Sequence, residues 1–288
     1  MRNDPRKSNA MVSSTTAAPP TRADSEGLEQ WGHDGAAVEL VDVAKRFSKR
    51  HKVVDAIGAV NLTAKRGEFV SLIGPSGCGK STVLNLIAGL MKPSRGTIRY
   101  RGEPISGVNT LAGYMTQHDS LIPWRTVRRN IAVPLEIRRQ KKAVLRDQVD
   151  EWIGLVGLEG FGDFYPNELS GGMRQRVAIA RTLVYKPELL LLDEPFGALD
   201  ALTRLRLQEV FLKIWREHRP TVFFVTHDLS EALSLSDRIV VFGPSPGRII
   251  GRLEVSFPRP RRVVEVAEHP DWPELHRKLW NLLSGEVP

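Results

Sequence analysis

The stretch from Phe69 to Thr82, Phe-Val-Ser-Leu-Ile-Gly-Pro-Ser-Gly-Cys-Gly-Lys-Ser-Thr, holds the residue types best suited to cradle a phosphate chain. Gly74, Pro75, Ser76, Gly77, Cys78 and Gly79 form a turn, and Lys80, Ser81 and Thr82 follow it. Glycines let backbone N–H groups close around an anion without Cβ interference. A helix starting near Lys80 adds unpaired N–H groups and a positive dipole end. In the pattern G-x-x-x-x-G-K-[ST], Lys80 reaches the β- and γ-phosphates and the Ser81 hydroxyl ligates Mg²⁺.

Other groups supply matching chemistry. Asp193 offers an oxygen ligand to the Mg²⁺ shell, and Glu194 is placed to take a proton from an attacking water. His227 is positioned to hydrogen-bond a γ-phosphate and fix Glu194. Gln117 is positioned to contact Mg²⁺ or the water, or is structural. Phe47 either stacks on adenine or packs beside the first strand. Ser170-Gly171-Gly172 opens a second glycine-bearing helix, another anion site. One phosphate chain does not need two cradles in one subunit, so the economical arrangement is a dimer in which Ser170 to Gly172 of one copy closes over the nucleotide held by Lys80 of the other.

Periodicity supplies the elements that hold these groups. Phe69 to Ile73 is a short apolar run of buried-strand type, and Ser81 to Leu90 carries apolar residues at helical spacing. Val38 to Val43 alternates like an edge strand, and Val60 to Ala64 follows a basic loop from Lys49 to Lys52. Thr97 to Tyr100 and Leu111 to Thr116 are short strands. Leu189 to Leu192 is four leucines in succession, the pattern of a strand covered on both faces. A helix is predicted over Ala201 to His218 and a strand over Thr221 to Val225. Gly74, Gln117, Asp193 and His227 therefore fall just past strand ends, where open parallel sheets bind ligands.

Composition sets outer bounds. The 288 residues carry 41 basic and 33 acidic side chains, a net charge of +8. That excess suits nucleic acid or an anionic membrane surface, though a solvated basic surface is the commoner source. The single cysteine, Cys78, excludes an intramolecular disulfide and suits a reducing compartment. As a loop thiol it is expected to react with thiol reagents, with nucleotide protecting it. No apolar run reaches eighteen residues, and Met1 to Ala10 lacks a secretory signal.

The order of Gly74 to Ser81, Gln117, Leu169-Ser170-Gly171-Gly172-Met173, Leu189 to Glu194, Phe196-Gly197-Ala198-Leu199-Asp200 and His227 resembles the ATP-binding subunit of an ABC transporter, over roughly Val38 to Arg252. The resemblance implies an α/β fold of the P-loop NTPase type, with a mostly parallel core sheet, an antiparallel β subdomain and an inserted helical subdomain. It implies ATP and Mg²⁺ as cofactors. It also implies a head-to-tail homodimer at the cytoplasmic face of the membrane, integral permease subunits and, indirectly, an extracytoplasmic solute-binding protein. Nucleic acid is not expected as a partner. Two departures are mild: Met173 stands where Gln is usual, and Phe47 where Tyr is commoner. Pro123-Trp124-Arg125-Thr126-Val127 and the tail from Pro258 resemble the nitrate, sulfonate and taurine importer subgroup. Trp124, Ile122, Val127 and Ile131 are then either permease contacts or subdomain core.

The expected organisation is a disordered tail over 1–36, an ATPase domain over 37–257 with its helical subdomain at about 123–168, and an extension over 258–288. Before that extension Val241-Phe242 and Ile249-Ile250 frame a hairpin; within it Arg259-Pro260-Arg261-Arg262 is a basic strip, Asp271 to Glu274 resembles a capping box, and Trp272, Leu275, Leu279 and Leu283 form a helical stripe. Two other functions stay open at this point. One is a non-transport ABC ATPase acting on nucleic acid or ribosomes, a class that usually carries two cassettes. The other is a P-loop kinase, which would leave Ser170 to Gly172 without a purpose.

Overall fold

The computed structural model describes residues 35–49 and 52–285. The expectation of a disordered tail over 1–36 thus lies almost wholly outside the described residues, and Ala36 already opens a strand. The elements run β1 (Ala36–Lys49), β2 (Lys52–Lys65), β3 (Phe69–Ile73), α1 (Lys80–Ile87), β4 (Arg95–Tyr100), β5 (Glu103–Pro104) and β6 (Ala112–Met115). Then come α2 (Val127–Ile137), α3 (Lys142–Leu155), α4 (Gly171–Leu183), β7 (Leu189–Asp193), α5 (Ala201–His218), β8 (Thr221–Val225), α6 (Leu229–Leu235), β9 (Arg238–Phe242), β10 (Ile249–Glu254), α7 (Val263–Ala267) and α8 (Trp272–Ser284).

Two sheets divide these strands. One is antiparallel in the order β2-β1-β4-β5, and the other has the order β10-β9-β3-β8-β7-β6. In the second sheet β6, β7, β8, β3 and β9 are parallel and only β10 is antiparallel. The leucine run shows why that sheet is covered on both faces. Leu190 and Leu192 enter one apolar cluster with α2, α3, α4 and α5, while Leu189 and Leu191 enter another that β1, β2 and α1 complete. Alternate side chains point to opposite faces, so four leucines in sequence feed two cores. At about 1.5–3 kcal/mol per fully buried leucine, this strand alone is a large share of what holds the sheet in place.

Several expectations change. The alternating run at Val38 to Val43 is no edge: β1 pairs with β2 on one side and β4 on the other. Its alternation reflects one packed face and one solvated face, which an inner antiparallel strand also has. The loop expected from Lys49 to Lys52 shrinks, because β1 and β2 run to those residues and only 50 and 51, outside the described residues, separate them. The first helix stops at Ile87 rather than Leu90, since Gly89 turns left-handed at φ +69°.

The hairpin forms, with Ile249 opposite Phe242. The capping box does not. Asp271 sits at φ −81°, ψ −7°, already helical, so its carboxylate caps nothing, and Glu274 pairs with Lys278 at 2.6 Å instead. In the basic strip from Arg259 to Arg262, Arg259 and Arg261 turn inward while Arg262 stays exposed. Arg259 donates to Asp237 at 2.7 Å and to the Leu235 carbonyl at 2.7 Å, and the buried Arg261 guanidinium bonds the carbonyls of Val255, Phe257 and Ser236. These two arginines pin the chain after β10 to the loop before β9.

The helical stripe of α8 packs on its own chain. Leu275 and Leu279 are buried with Ile239, Val241 and Phe257, and Trp272 and Leu283 lie against the same cluster. Leu279→Ala is expected to cost about 2–5 kcal/mol by thermal or denaturant unfolding. Trp280→Ala, at a side chain 56% exposed on the same helix, should stay within about 0.5 kcal/mol. Equal effects from the two would contradict this packing.

Candidate functional site

Hydrogen-bond register brings the loops together. Leu72 pairs with Val225, Val225 with Asp193, and Leu192 with Met115, so β3, β8, β7 and β6 end level along one sheet edge. Gly74, His227, Glu194 and Gln117 leave from those four ends.

The turn from Gly74 to Gly79 leads into α1, whose first N–H groups have no side-chain cap. Gly79 holds φ +99°, and a Cβ there would meet Ile57 Cδ1 at 2.4 Å, so only glycine fits. The Lys80 ammonium folds over the turn and donates to the carbonyls of Gly74, at 2.7 Å, and Pro75, at 3.0 Å. Pro75, Ser76 and Gly77 are exposed around it, Ser81 is exposed, and Thr82 is half-buried. Burial opposes the expected reactivity of Cys78: the residue is 1% exposed and packed in the cluster with Val83 and Leu84. Its sulfur lies on the buried side of the turn, 3.8 Å from the Lys80 ammonium.

Asp193 ends β7, buried. Burial pushes its carboxyl above the usual range; a hydrogen bond from Ser81 and the charge of Lys80 oppose that, and the Glu194 charge adds to it. A hydroxyl and a carboxylate side by side are the hard oxygen donors that Mg²⁺ takes. No group of three or more His, Cys, Asp or Glu among the described residues could hold a metal alone.

Glu194 occupies the left-handed region at φ +50°, held there by its N–H donating to Val225 O at 2.9 Å. An L-residue rarely adopts that conformation, and such strain gathers at functional sites. Its carboxylate Oε2 lies 3.5 Å from His227 Nδ1, and the histidine is 70% exposed toward solvent. Gln117 is exposed just past β6.

At the start of α4 the Ser170 hydroxyl accepts from Met173 N–H at 3.3 Å, and Ser170 and Gly171 are exposed. Phe47 lies on β1 opposite Val54, 38% exposed, with the Lys45 ammonium 5.2 Å from its ring centre. It is not a core residue. In the helical region Val127 and Ile131 are buried, Ile122 is half-buried, and Trp124 is 76% exposed.

Three connections had no signal in the sequence. Gln175 of α4 donates to Pro195 O at 2.8 Å, tying the second cradle to the Asp193-Glu194 turn. Arg174 and Arg181 of the same helix hold the loop after Gln117, through the Asp119 carboxylate at 3.0 Å and the Asp119 carbonyl at 2.7 Å. Gly247, beyond β9, braces the phosphate turn: its N–H donates to Ala56 O at 3.0 Å, and a Cβ would meet Cys78 O at 1.9 Å.

A phosphate turn at a parallel sheet edge, with an acidic pair two strands away, defines a nucleotide hydrolase of the phosphate-loop class. Residues 57–197 match the ABC transporter family. The chain is 48% identical over 224 residues to the aliphatic sulfonates import ATP-binding protein SsuB of Bacillus cereus, covering 78% of this chain and 88% of that protein. It is 51% identical over 234 residues to the nitrate import ATP-binding protein NrtC of Synechococcus elongatus, covering 80% of this chain but only 36% of that longer protein. Among solved structures, the dimeric post-hydrolysis state of the ATP-binding cassette MJ0796 bound to ADP and Pi superposes with a TM-score of 0.71 at 33% identity, over 76% of this chain and 99% of that one. The chain belongs to the ABC transporter family, as an ATP-binding cassette with ATPase activity and with ATP and Mg²⁺ as its cofactors.

Gly247→Ala should press on the backbone of the phosphate turn from behind. The expected result is an ATP affinity at least about tenfold weaker by equilibrium titration, about 1.4 kcal/mol, in a protein that still unfolds cooperatively. Wild-type affinity would show that Gly247 does not brace the turn.

Proposed function

We propose that this chain powers the import of a small solute of the nitrate, sulfonate or taurine class through separate membrane permease subunits, working as a head-to-tail pair of cassettes at the cytoplasmic face of the membrane. A binding protein outside the membrane delivers the solute. The observation that carries the reading is the pair of exposed helix-start cradles, Gly74 to Ser81 and Ser170 to Gly172, in one chain. Support comes from the dimeric cassette with which this fold superposes and from relatives named for sulfonate and nitrate import. No helix among the described residues is long and apolar enough to cross a membrane. Trp124 is the side chain offered to the permease.

The geometry divides the work. Lys80 leaves the carbonyls of Gly74 and Pro75 for the β- and γ-phosphate oxygens, which replace them as acceptors. Mg²⁺, when bound, offsets phosphate charge, with Ser81 and Asp193 as its protein ligands and Gln117 beside them. Glu194 accepts the proton of the attacking water, and His227, 3.5 Å from it, keeps the carboxylate aimed while contacting the γ-phosphate. Phe47 stacks on adenine. Ser170 to Gly172 of the second copy close the site and exclude water from it.

Glu194→Gln keeps the shape and removes the base, so ATP binding should persist while turnover falls by about 10²–10⁴. The variant should sediment as a dimer in saturating ATP; a monomer there would count against the paired site. Lys80→Ala leaves the phosphates without their cation, and ATP affinity should drop by at least about tenfold. Unchanged binding would remove Lys80 from the cradle.

A further inference from the structure

A cavity of about 590 Å³ lies between the C-terminal half of α5 and the segment from Arg259 to Glu265. It is at the opposite sheet edge from the nucleotide cradle. Helix α5 leads away from the Asp193 turn and ends at His218, just before β8 begins, and Arg259 is anchored to Asp237, just before β9 begins.

Six cationic side chains line this cavity against two carboxylates, Glu209 and Glu265. Both carboxylates are engaged: Glu209 accepts from Val263 N–H at 2.6 Å, and Glu265 pairs with Arg262 at 2.6 Å. Arg259 has Asp237, and Arg261 is spent on carbonyl oxygens. That leaves Lys213, Arg216 and Arg219. All three are exposed, and none of their side chains makes an ion pair or hydrogen bond among the described residues. Arg219 instead lies over the Trp215 ring, 4.5 Å from its centre, and Arg259 lies over the same ring at 4.1 Å.

Burial holds Arg259 below the usual arginine range; Asp237 opposes that, and the Arg219 charge over the same indole adds to it. Burial, with the charge of Arg259, brings Arg261 down to about 10. Cations at a helix C-terminus complement its dipole, which accounts for Arg216 and Arg219 taken singly. It does not account for a second set of arginines converging on the same space from a segment about forty residues later. The walls between the cations are apolar, from Val210, Leu212, Trp215 and Pro260.

We propose that this cavity binds a small soluble organic anion, with a phosphate- or sulfonate-type oxyanion held by Lys213, Arg216 and Arg219 and an apolar body against Trp215 and Pro260. An oxyanion offers several acceptors to convergent guanidinium and ammonium donors, and it screens the Arg219–Arg259 repulsion. The site is separate from the phosphate cradle and does not depend on the import reading.

Phenyl phosphate is the probe, titrated by calorimetry into the full chain with its nucleotide sites saturated by Mg-ADP. One molecule should bind per chain, and Lys80→Ala should not weaken it. The double variant Lys213→Ala/Arg216→Ala should weaken it by about tenfold or more. Its melting temperature should fall by no more than a few degrees, the loss of Arg216 from the helix end, since both side chains are exposed and otherwise unbonded. Inorganic phosphate should bind several-fold more weakly than phenyl phosphate, reflecting the lost apolar contact. Equal affinity in the double variant, loss on Lys80→Ala, or no binding of phenyl phosphate up to about 10 mM would overturn the proposal. So would binding of the chain to vesicles of anionic phospholipid with none to phenyl phosphate.

Discussion

The site depends on a register. Parallel strands buried on both faces have little freedom to slip, because a shift of one residue would exchange every side chain between two filled cores. Leu189 to Leu192 is the clearest case, with its odd and even members committed to different clusters. With β7 fixed, β8 and β3 are fixed by the ladder Asp193–Val225–Leu72, and the four loops that carry polar chemistry start level. The sheet converts apolar pattern into the alignment of a lysine, two carboxylates and a histidine that lie far apart in sequence.

Rigid strands place the acidic pair, and the helix with the second cradle packs on them through Val177, Ala180 and Leu183 and is tied to the site loops by polar contacts. Helix α4 reaches the Asp193-Glu194 turn through Gln175 and the loop beyond Gln117 through Arg174 and Arg181. Bonds of this kind are individually worth about 0.5–1.5 kcal/mol net, or about 1.5–3 kcal/mol where charged, and can be remade in a shifted geometry. These contacts connect Gln117 and Glu194 to the helix that begins at Ser170, the residue proposed to face a second copy. This is a physical link between nucleotide chemistry and the helical region around Trp124, which adjoins the same loop.

The strands and their order of loops were legible in the sequence because apolar runs of strand length are a local signal. The ends of α5 and β8 are matched to the residue for the same reason: Asp200 is a capping side chain, and Pro220 separates helix from strand. What was not legible depends on tertiary context. Nothing in Gly243-Pro244-Ser245-Pro246-Gly247 beyond a turn reveals that Gly247 lies against Cys78. The burial of Cys78 follows from the apolar cluster it enters with Val83 and Leu84 of α1, not from its membership of a phosphate turn. Likewise an alternating strand looks the same at an edge or inside an antiparallel sheet, which is why β1 was misplaced.

The positive charge needs the same distinction between composition and position. A net +8 invites an electrostatic partner such as nucleic acid, but arginine is also a structural clasp, with donors in a fork that satisfy several carbonyls at once. Arg261 does that between β9 and the chain after β10, Arg176 holds the carbonyls of Val156 and Gly157, and Arg181 holds those of Asp119 and Ser120. Such groups are turned inward and contribute little to a surface that could read a phosphate backbone. A charge count weighs them equally with Lys213 and Arg216, which have no carbonyl or carboxylate to hold. The electrostatic question for this protein is therefore local: what matters is where unengaged cations converge, and one such place is the wall of α5 that faces away from the nucleotide.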